Sequence, residues 1–189
     1  MRTDRAGQSA LLLLDVVEIL QRENIDYVVI GALALAAHGV VRASTDVDGL
    51  LYITAGRMAR LRTRLERAGF AADLHHGDEE DPIPAVLVLG DGHGNRVDLL
   101  GGLRGMDPAL FSRALAVPFM GLRLRIVGRE DFIAMKCFAG GPQDLLDAQS
   151  AYRSAPGPVD LDLLRAITRR FGREAADHLE RVLTEVRSA

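Results

Sequence analysis

Three aspartates have the residue type and spacing for phosphoryl-transfer chemistry. Asp46 and Asp48 lie at the start of one apolar run, and Asp98 interrupts a second, Val97–Leu100. Residues two apart in a strand point to the same face, so Asp46 and Asp48 are expected to project side by side. Adjacent carboxylates repel each other unless a cation neutralises them, and a hard dication such as Mg²⁺ prefers carboxylate and phosphate oxygens.

The placement of Asp98 decides between a metal site and simpler interpretations. A buried carboxylate is costly without a partner or a metal. If its strand pairs beside the strand of Asp46, three carboxylates converge on one face, which is a ligand set for two ions about 4 Å apart. Two alternatives stay open: the acidic pair lies in solvent at a strand end, or Asp98 pairs with Arg96 or Arg42.

Other residues are suited to binding phosphate. Gly31 separates a β-branched run from a run of helix formers, where a sharp turn exposes unpaired N–H groups to an anion. Arg42 could reach phosphate oxygens bidentately, and Lys136, the single lysine of the chain, could act as a point charge. The alternatives are a glycine that serves only its turn and a lysine that favours a helix C-terminus.

The elements that must position these residues follow from apolar periodicity. The sequence predicts helices over 9–23, 32–38 and 55–68, and strands over 27–30, 46–53, 70–74, 85–89 and 96–100, with a hairpin over 117–127. From Arg129 the pattern is helical, with breaks at Gly140-Gly141-Pro142 and Pro156-Gly157-Pro158. The predicted fold class is α/β (α+β): a mixed central sheet flanked by helices in residues 1–128, then a C-terminal helical part, 129–189, packed on that core.

Composition excludes several classes of protein. The chain has 189 residues, 48% of them apolar, and a net charge of −3, which fits a folded domain and excludes a disordered or strongly basic one. No apolar run approaches the ~20 residues of a membrane span, and no secretory signal pattern opens the chain, so we expect a cytoplasmic protein. The single cysteine, Cys137, excludes an internal disulfide framework.

Two polar segments have weaker functional interpretations. Arg57, Arg60, Arg64 and Arg67 share one face of a predicted helix and could guide an RNA acceptor, although a solvated face is favoured. The acidic loop 75–82 is interpreted as mobile surface or as a lid.

The order of these motifs resembles the polymerase-β-like minimal nucleotidyltransferase superfamily, including AbiEii-type toxins of toxin–antitoxin systems. The resemblance covers about residues 25–150. It is carried by four segments: Tyr27–Gly39 followed by Arg42, Thr45–Asp48, Val97–Leu100 and Glu130–Asp147.

The resemblance implies a nucleotidyltransferase fold that moves an NMP group from an NTP such as ATP to a hydroxyl of RNA, protein or a small molecule. By this analogy three catalytic residues hold two Mg²⁺ or Mn²⁺ ions: Asp46, Asp48 and Asp98. The residues that the analogy assigns to nucleotide binding are Gly31, Ala32, Arg42, Thr45 and Lys136. Members of the toxin branch also imply an antitoxin partner.

Two departures from the family pattern define the alternatives. Ala32 stands where many relatives have serine or glycine, which favours a non-catalytic nucleotide- or partner-binding module on the same fold. The stretch 139–142 lacks an arginine that toxin members often carry. A third interpretation is an antibiotic-modifying enzyme, which an acidic acceptor pocket would favour because aminoglycosides are cationic.

Overall fold

One mixed sheet organises the chain. The computed structural model describes residues 1–154 and 157–188. In these residues the strands are β1 (Asp26–Ile30), β2 (Asp46–Tyr52), β3 (Ala71–His76), β4 (Ala85–Gly90), β5 (Arg96–Leu100), β6 (Leu115–Phe119) and β7 (Leu122–Ile126). The helices are α1 (Ser9–Arg22), α2 (Gly31–Ala37), α3 (Ala55–Arg67), α4 (Arg129–Ala139), α5 (Pro142–Arg153), α6 (Leu161–Arg170) and α7 (Arg173–Ser188).

The strand order is β3-β4-β5-β2-β1-β7-β6. The β2–β5 and β1–β7 pairs are parallel, and the other neighbours are antiparallel. The predicted mixed sheet flanked by helices is therefore confirmed. Because β2 and β5 are far apart in the chain, their pairing brings together the two segments that carry the three aspartates.

Burial alternates along the central strands, as expected where one face of a sheet meets the core. On β5, Val97 and Leu99 are fully buried, whereas Asp98 and Leu100 on the other face are half-buried. Helix α1 contacts β2 and β5 and buries Leu12, Val16 and Leu20 completely, which accounts for its apolar stripe. The face that carries the aspartates is thus the one left open for a site.

The C-terminal helices pack around α4, which contacts α5, α6 and α7. The predicted break after α4 is confirmed, because Gly140 has φ +68° and a side chain there would collide with the ring of His178. The second predicted break includes Pro156, which lies outside the described residues. A third break, at Gly172 between α6 and α7, was not predicted, although a glycine with φ +106° is a common helix end.

Strand β3 extends two residues beyond the prediction, to His76, because it pairs with β4 from Ala71–Gly90 to His76–Ala85. The acidic connection is correspondingly short. The division into residues 1–128 and 129–189 stays a prediction. Among the described helices, none combines the length and the apolar character needed to cross a membrane.

Candidate active site

The parallel pairing of β2 with β5 places two of the three aspartates side by side. Asp48 is in register with Asp98, and Asp46 is in register with Arg96. In-register residues of neighbouring strands share a face, and Asp46 shares that face with Asp48 because they are two apart. The strand pairing on which the predicted convergence depended is confirmed.

Asp48 lies in an electrostatically unfavourable position on the central strand β2. Ile30 of β1 is in register with it on one side and Asp98 on the other. Burial, followed by repulsion from Asp98 and Asp46, raises the pKa of Asp48, while the nearby cations Lys136 and Arg42 act in the opposite direction. Asp48 therefore lies where additional positive charge would be stabilising.

Gly31 is required by two features of its position. Its φ of +66° lies in the left-handed region, and a Cβ there would overlap Oδ2 of Asp48. The sharp turn predicted at this residue is confirmed. Neighbouring Ala32 is buried, and exposed Thr45 accepts a hydrogen bond from Ser9 Oγ through its backbone carbonyl at 2.6 Å. The nucleotide-binding roles of Gly31, Ala32 and Thr45 stay predictions.

Arg96 holds both oxygens of Asp98. Its Nε donates to Oδ1 at 2.7 Å and its Nη2 donates to Oδ2 at 2.8 Å, a bidentate pair. One of the alternatives raised by the sequence, an Arg96–Asp98 pair, is thus present in a strand that also pairs with the strand of Asp46 and Asp48. The sequence indicates this pair, because residues two apart on one strand have their side chains on the same face.

The three carboxylates offer the oxygen donors that Mg²⁺ or Mn²⁺ prefers, and positive charge would relieve the repulsion at Asp48. In donor chemistry the residues therefore fit a dication. Throughout residues 1–154 and 157–188, however, no group of three or more His, Cys, Asp or Glu side chains stands arranged as a complete ligand set. The guanidinium of Arg96 on Asp98 is consistent with this, and the metal assignment stays a prediction.

Lys136 belongs to an ionic cluster between α4, α5 and the loop before β2. Its Nζ lies 2.7 Å from Asp144 Oδ1 and 3.2 Å from Asp147 Oδ2. Asp147 Oδ1 also accepts a hydrogen bond from Gln143 Nε2 at 2.9 Å and lies 3.5 Å from Arg42 Nε. The Asp147 side chain is only 3% exposed, so it requires these partners. Asp147 belongs to the Glu130–Asp147 segment that carries the motif resemblance, and its spacing of three from Asp144 places both on one helix face.

A cleft of about 380 Å³ adjoins this cluster and Asp48. Its polar and charged lining consists of Asp48, Lys136 and Asp144, beside the backbone of Gly31. The remaining lining residues are apolar: Ile30 and Leu100 from the sheet, Pro82, Ile83 and Leu103 from loops, and Phe132, Met135, Phe138 and Ala139 from α4. The cleft therefore joins a charged end to a largely apolar one.

The arginine face of α3 and the buried cysteine have structural roles. Arg57 Nη2 donates to the carbonyl of Glu23 at 3.0 Å, and Arg64 Nε lies 3.4 Å from Glu23 Oε1, so this face of α3 is tied to the end of α1. Cys137 is fully buried, and burial raises the pKa of its thiol to about 12, which leaves it protonated and unreactive.

Comparison with solved structures supports the same architecture. The solution structure of the antibiotic-resistance factor ANT(2'')-Ia matches with a TM-score of 0.60 at 14% identity, over 94% of this chain and 97% of that one. A nucleotidyltransferase-like protein from Paracoccidioides brasiliensis matches with a TM-score of 0.53 at 15% identity, over 96% and 91% of the chains. A putative nucleotidyltransferase from Thermotoga maritima gives 0.54 at 16% identity, over 72% and 88%.

This chain has the nucleotidyltransferase fold. The sequence itself matches no family model and no curated protein. The fold implied by the motif resemblance is confirmed, whereas membership of the AbiEii-type branch stays a prediction. Within the nucleotidyltransferase fold, this chain places Asp48, its glycine turn and its single lysine around one cleft.

Proposed function

We propose that this protein is a metal-dependent nucleotidyltransferase, which transfers an NMP group from an NTP to an acceptor hydroxyl and releases pyrophosphate. The observation that supports it best is the in-register pair of Asp48 and Asp98 on parallel strands, of which Asp48 lines a cleft together with Lys136. The fold shared with nucleotidyltransferases is consistent with the proposal.

The reaction assigns a task to each charged residue. The acceptor oxygen attacks the α-phosphorus, the bond to the α–β bridging oxygen breaks, and pyrophosphate leaves with that electron pair. Asp98 accepts the proton of the acceptor hydroxyl. Arg42 and Lys136 hold the negative charge of the triphosphate. Bound by Asp46, Asp48 and Asp98, a dication would supply charge neutralisation at the reacting phosphate. Catalysis then consists of positioning and electrostatic stabilisation.

The structural neighbours and the cleft lining bear on which class of acceptor the protein uses. A structural neighbour has been solved in complex with adenylyl-2''-tobramycin, which favours a small-molecule acceptor over RNA or protein. The cleft has only two carboxylates in its lining, Asp48 and Asp144, beside mostly apolar walls, which does not favour a polycationic acceptor. A toxin role with an antitoxin partner, and ATP as the donor, rest on the motif resemblance alone.

A second candidate function is a non-catalytic nucleotide-binding module. The bidentate hold of Arg96 on Asp98 favours it, because a carboxylate engaged in this way is not free to bind a cation or accept a proton. The two functions differ in whether pyrophosphate is released.

Asp46→Asn and Asp48→Asn test the proposal. Each variant removes one negative charge without changing side-chain size, and transfer of label from α-³²P-NTPs is expected to fall at least about 100-fold. Asp73→Asn is the matched control, since its carboxylate is 75% exposed on β3. Folding is checked by circular dichroism. Unchanged transfer in both variants would contradict the proposal, whereas nucleotide binding by wild type without pyrophosphate release would favour the binding module.

A further inference from the structure

The floor of the cleft changes from charged to apolar over a short distance. Leu100 follows Asp98 by two residues on β5, so both side chains lie on the same face, about 7 Å apart along the strand. Ile30, in register with Asp48, lines the cleft as well. A group bound over Leu100 would therefore lie one same-face position along the strand from Asp98, the carboxylate assigned to accept the acceptor proton.

The walls above this floor are also apolar. Met135 and Phe138 of α4 face it from one side, while Ile83 and Leu103 close it from the loops that follow β3 and β5. A volume of about 380 Å³ lies within the range of small-molecule pockets, which are mostly apolar with a few polar groups at fixed places. This part of the cleft is suited to a compact apolar body.

The charges at the cleft disfavour both a polyanion and a polycation. Lys136 is the only cation of the lining, and Asp144 lies 2.7 Å from it, so the cleft lacks the row of cations that an extended polyanion requires. The loop that carries Ile83 also bears acidic residues at four successive positions, 78–81, which would repel a phosphodiester backbone. The two lining carboxylates are at the charged end, where Asp144 pairs with Lys136 and Asp48 is assigned to the dication, so a polycation over the apolar walls would lose its hydration without a free carboxylate partner.

The acidic loop shapes the cleft rather than lining it with charge. Asp78 Oδ1 accepts hydrogen bonds from the backbone N–H groups of Glu80 and Asp81, both at 2.9 Å. Asp81 Oδ1 accepts one from the N–H of Ile83 at 2.8 Å. These carboxylates are used within the loop, where they fix the apolar wall formed by Pro82 and Ile83.

The two cations assigned to the triphosphate lie at or beyond the charged end of the cleft. Arg42 lies outside the cleft lining, and Lys136 lies at its charged end, both beside Asp147. The negative charge of a triphosphate is best compensated on that side of Asp48. The apolar part beyond Asp48, over Leu100 and Leu103, is then left for the acceptor.

We infer that the acceptor is a small molecule whose hydroxyl is carried on an uncharged, largely apolar body, and that this body lies over Leu100 between Ile83 and Met135. The role of this molecule as an acceptor rests on the proposed function, but its binding to the apolar part of the cleft does not require turnover.

The experiment separates the apolar site from the nucleotide site by titration. The probe is 2-naphthol, an apolar ring system with one hydroxyl, followed by its fluorescence, and Mg-ATP is titrated separately by calorimetry. In Ile83→Arg, a charge replaces an apolar wall on a loop, and 2-naphthol is expected to bind about tenfold more weakly while the Kd for Mg-ATP stays within about twofold. Ile83→Leu and Met120→Arg, the latter at a 68% exposed position, should leave both titrations unchanged.

Three results would overturn the inference: no saturable binding of 2-naphthol to the wild type, displacement of 2-naphthol by an RNA decamer or by spermine, or an equal loss of Mg-ATP binding in Ile83→Arg. The last result would assign the cleft to the nucleobase. Failure of the proposed function has a different signature, since it would abolish the dependence of label transfer on Asp48 and leave these titrations as they are.

Discussion

At the residue scale, Gly31 shows how a single missing Cβ permits the site. The backbone of this residue passes so close to the Asp48 carboxylate that no side chain fits between them. Both the left-handed φ and the close contact depend on glycine. Helix propensity alone would favour alanine at this position, because the residues that follow are helix formers.

Gly31→Ala is therefore expected to lower the free energy of unfolding by more than about 1 kcal/mol, because strain at positive φ adds to the overlap with Asp48. Gly56→Ala in α3 is the matched control, since a Cβ there meets no atom within 4 Å, and it should be neutral or slightly stabilising. Urea denaturation measures both. Equal stability of the two variants would show that the approach to Asp48 is not restrictive.

Also at the residue scale, Arg96 determines whether Asp98 is available. Replacing Arg96 by Met removes two charge-assisted hydrogen bonds to Asp98 and keeps much of the side-chain volume. The affinity for Mn²⁺, measured by calorimetry, is expected to rise about tenfold, equivalent to about 1.4 kcal/mol. Arg125→Met is the control, because it breaks an Arg–Asp pair with Asp26 far along the strands. Unchanged Mn²⁺ binding in Arg96→Met would count against Asp98 as a ligand.

At the element scale, Asp147 connects three pieces of backbone that the sequence places far apart. It lies on α5, contacts Lys136 on α4 and lies within 3.5 Å of Arg42 in the loop before β2. Asp144 contacts Lys136 as well, but it is 29% exposed. The two carboxylates thus differ in burial and in their contact with Arg42, while they share one cation.

Asp147→Asn is accordingly expected to weaken Mg-ATP binding by about tenfold, since both cations lose their common anchor. Asp144→Asn, which leaves Arg42 anchored, should weaken it by less. Calorimetry compares the variants, and a combined Arg42→Gln, Asp147→Asn variant tests whether the effect passes through Arg42, in which case the losses are less than additive. A larger effect at Asp144 than at Asp147 would contradict this role.

At the scale of the whole molecule, the open face of the sheet concentrates negative charge and the fold must tolerate it. Burial and the neighbouring carboxylates raise the pKa of Asp48 in the folded protein. A carboxyl whose pKa is raised on folding contributes stability below its unfolded pKa, and this contribution is lost as the pH rises through the folded value. Ionised Asp48 thus reduces global stability at neutral pH when no dication is bound.

Asp48→Asn is therefore expected to unfold at a higher urea concentration than the wild type at pH 7 in EDTA, and the difference should shrink in acid as wild-type Asp48 becomes protonated. Added Mg²⁺ should stabilise the wild type and not the variant, because binding to the native state alone raises stability. Lower stability of Asp48→Asn at pH 7, with folding otherwise intact, would show that the Asp48 charge is compensated within the protein.

Local pattern sufficed for most of the elements and for the candidate residues. The apolar stripe of α1, the alternation on β5 and the glycine break after α4 are properties of consecutive residues, and helix and strand periods express them directly. The sequence thus determined the mixed sheet, the acidic residues and the positions of Gly31 and Lys136 within their elements.

Only the tertiary structure decided which of these residues meet. The register of β2 against β5 joins residues distant in the chain, as do the burial of Asp147 between two cations and the placement of Ile83 beside α4 in the cleft lining. The pairing of Asp98 with Arg96 selects one of several local partners. Such choices depend on strand pairing and on the competition of side chains for space and charge across the whole fold, and no stretch of consecutive residues contains that information.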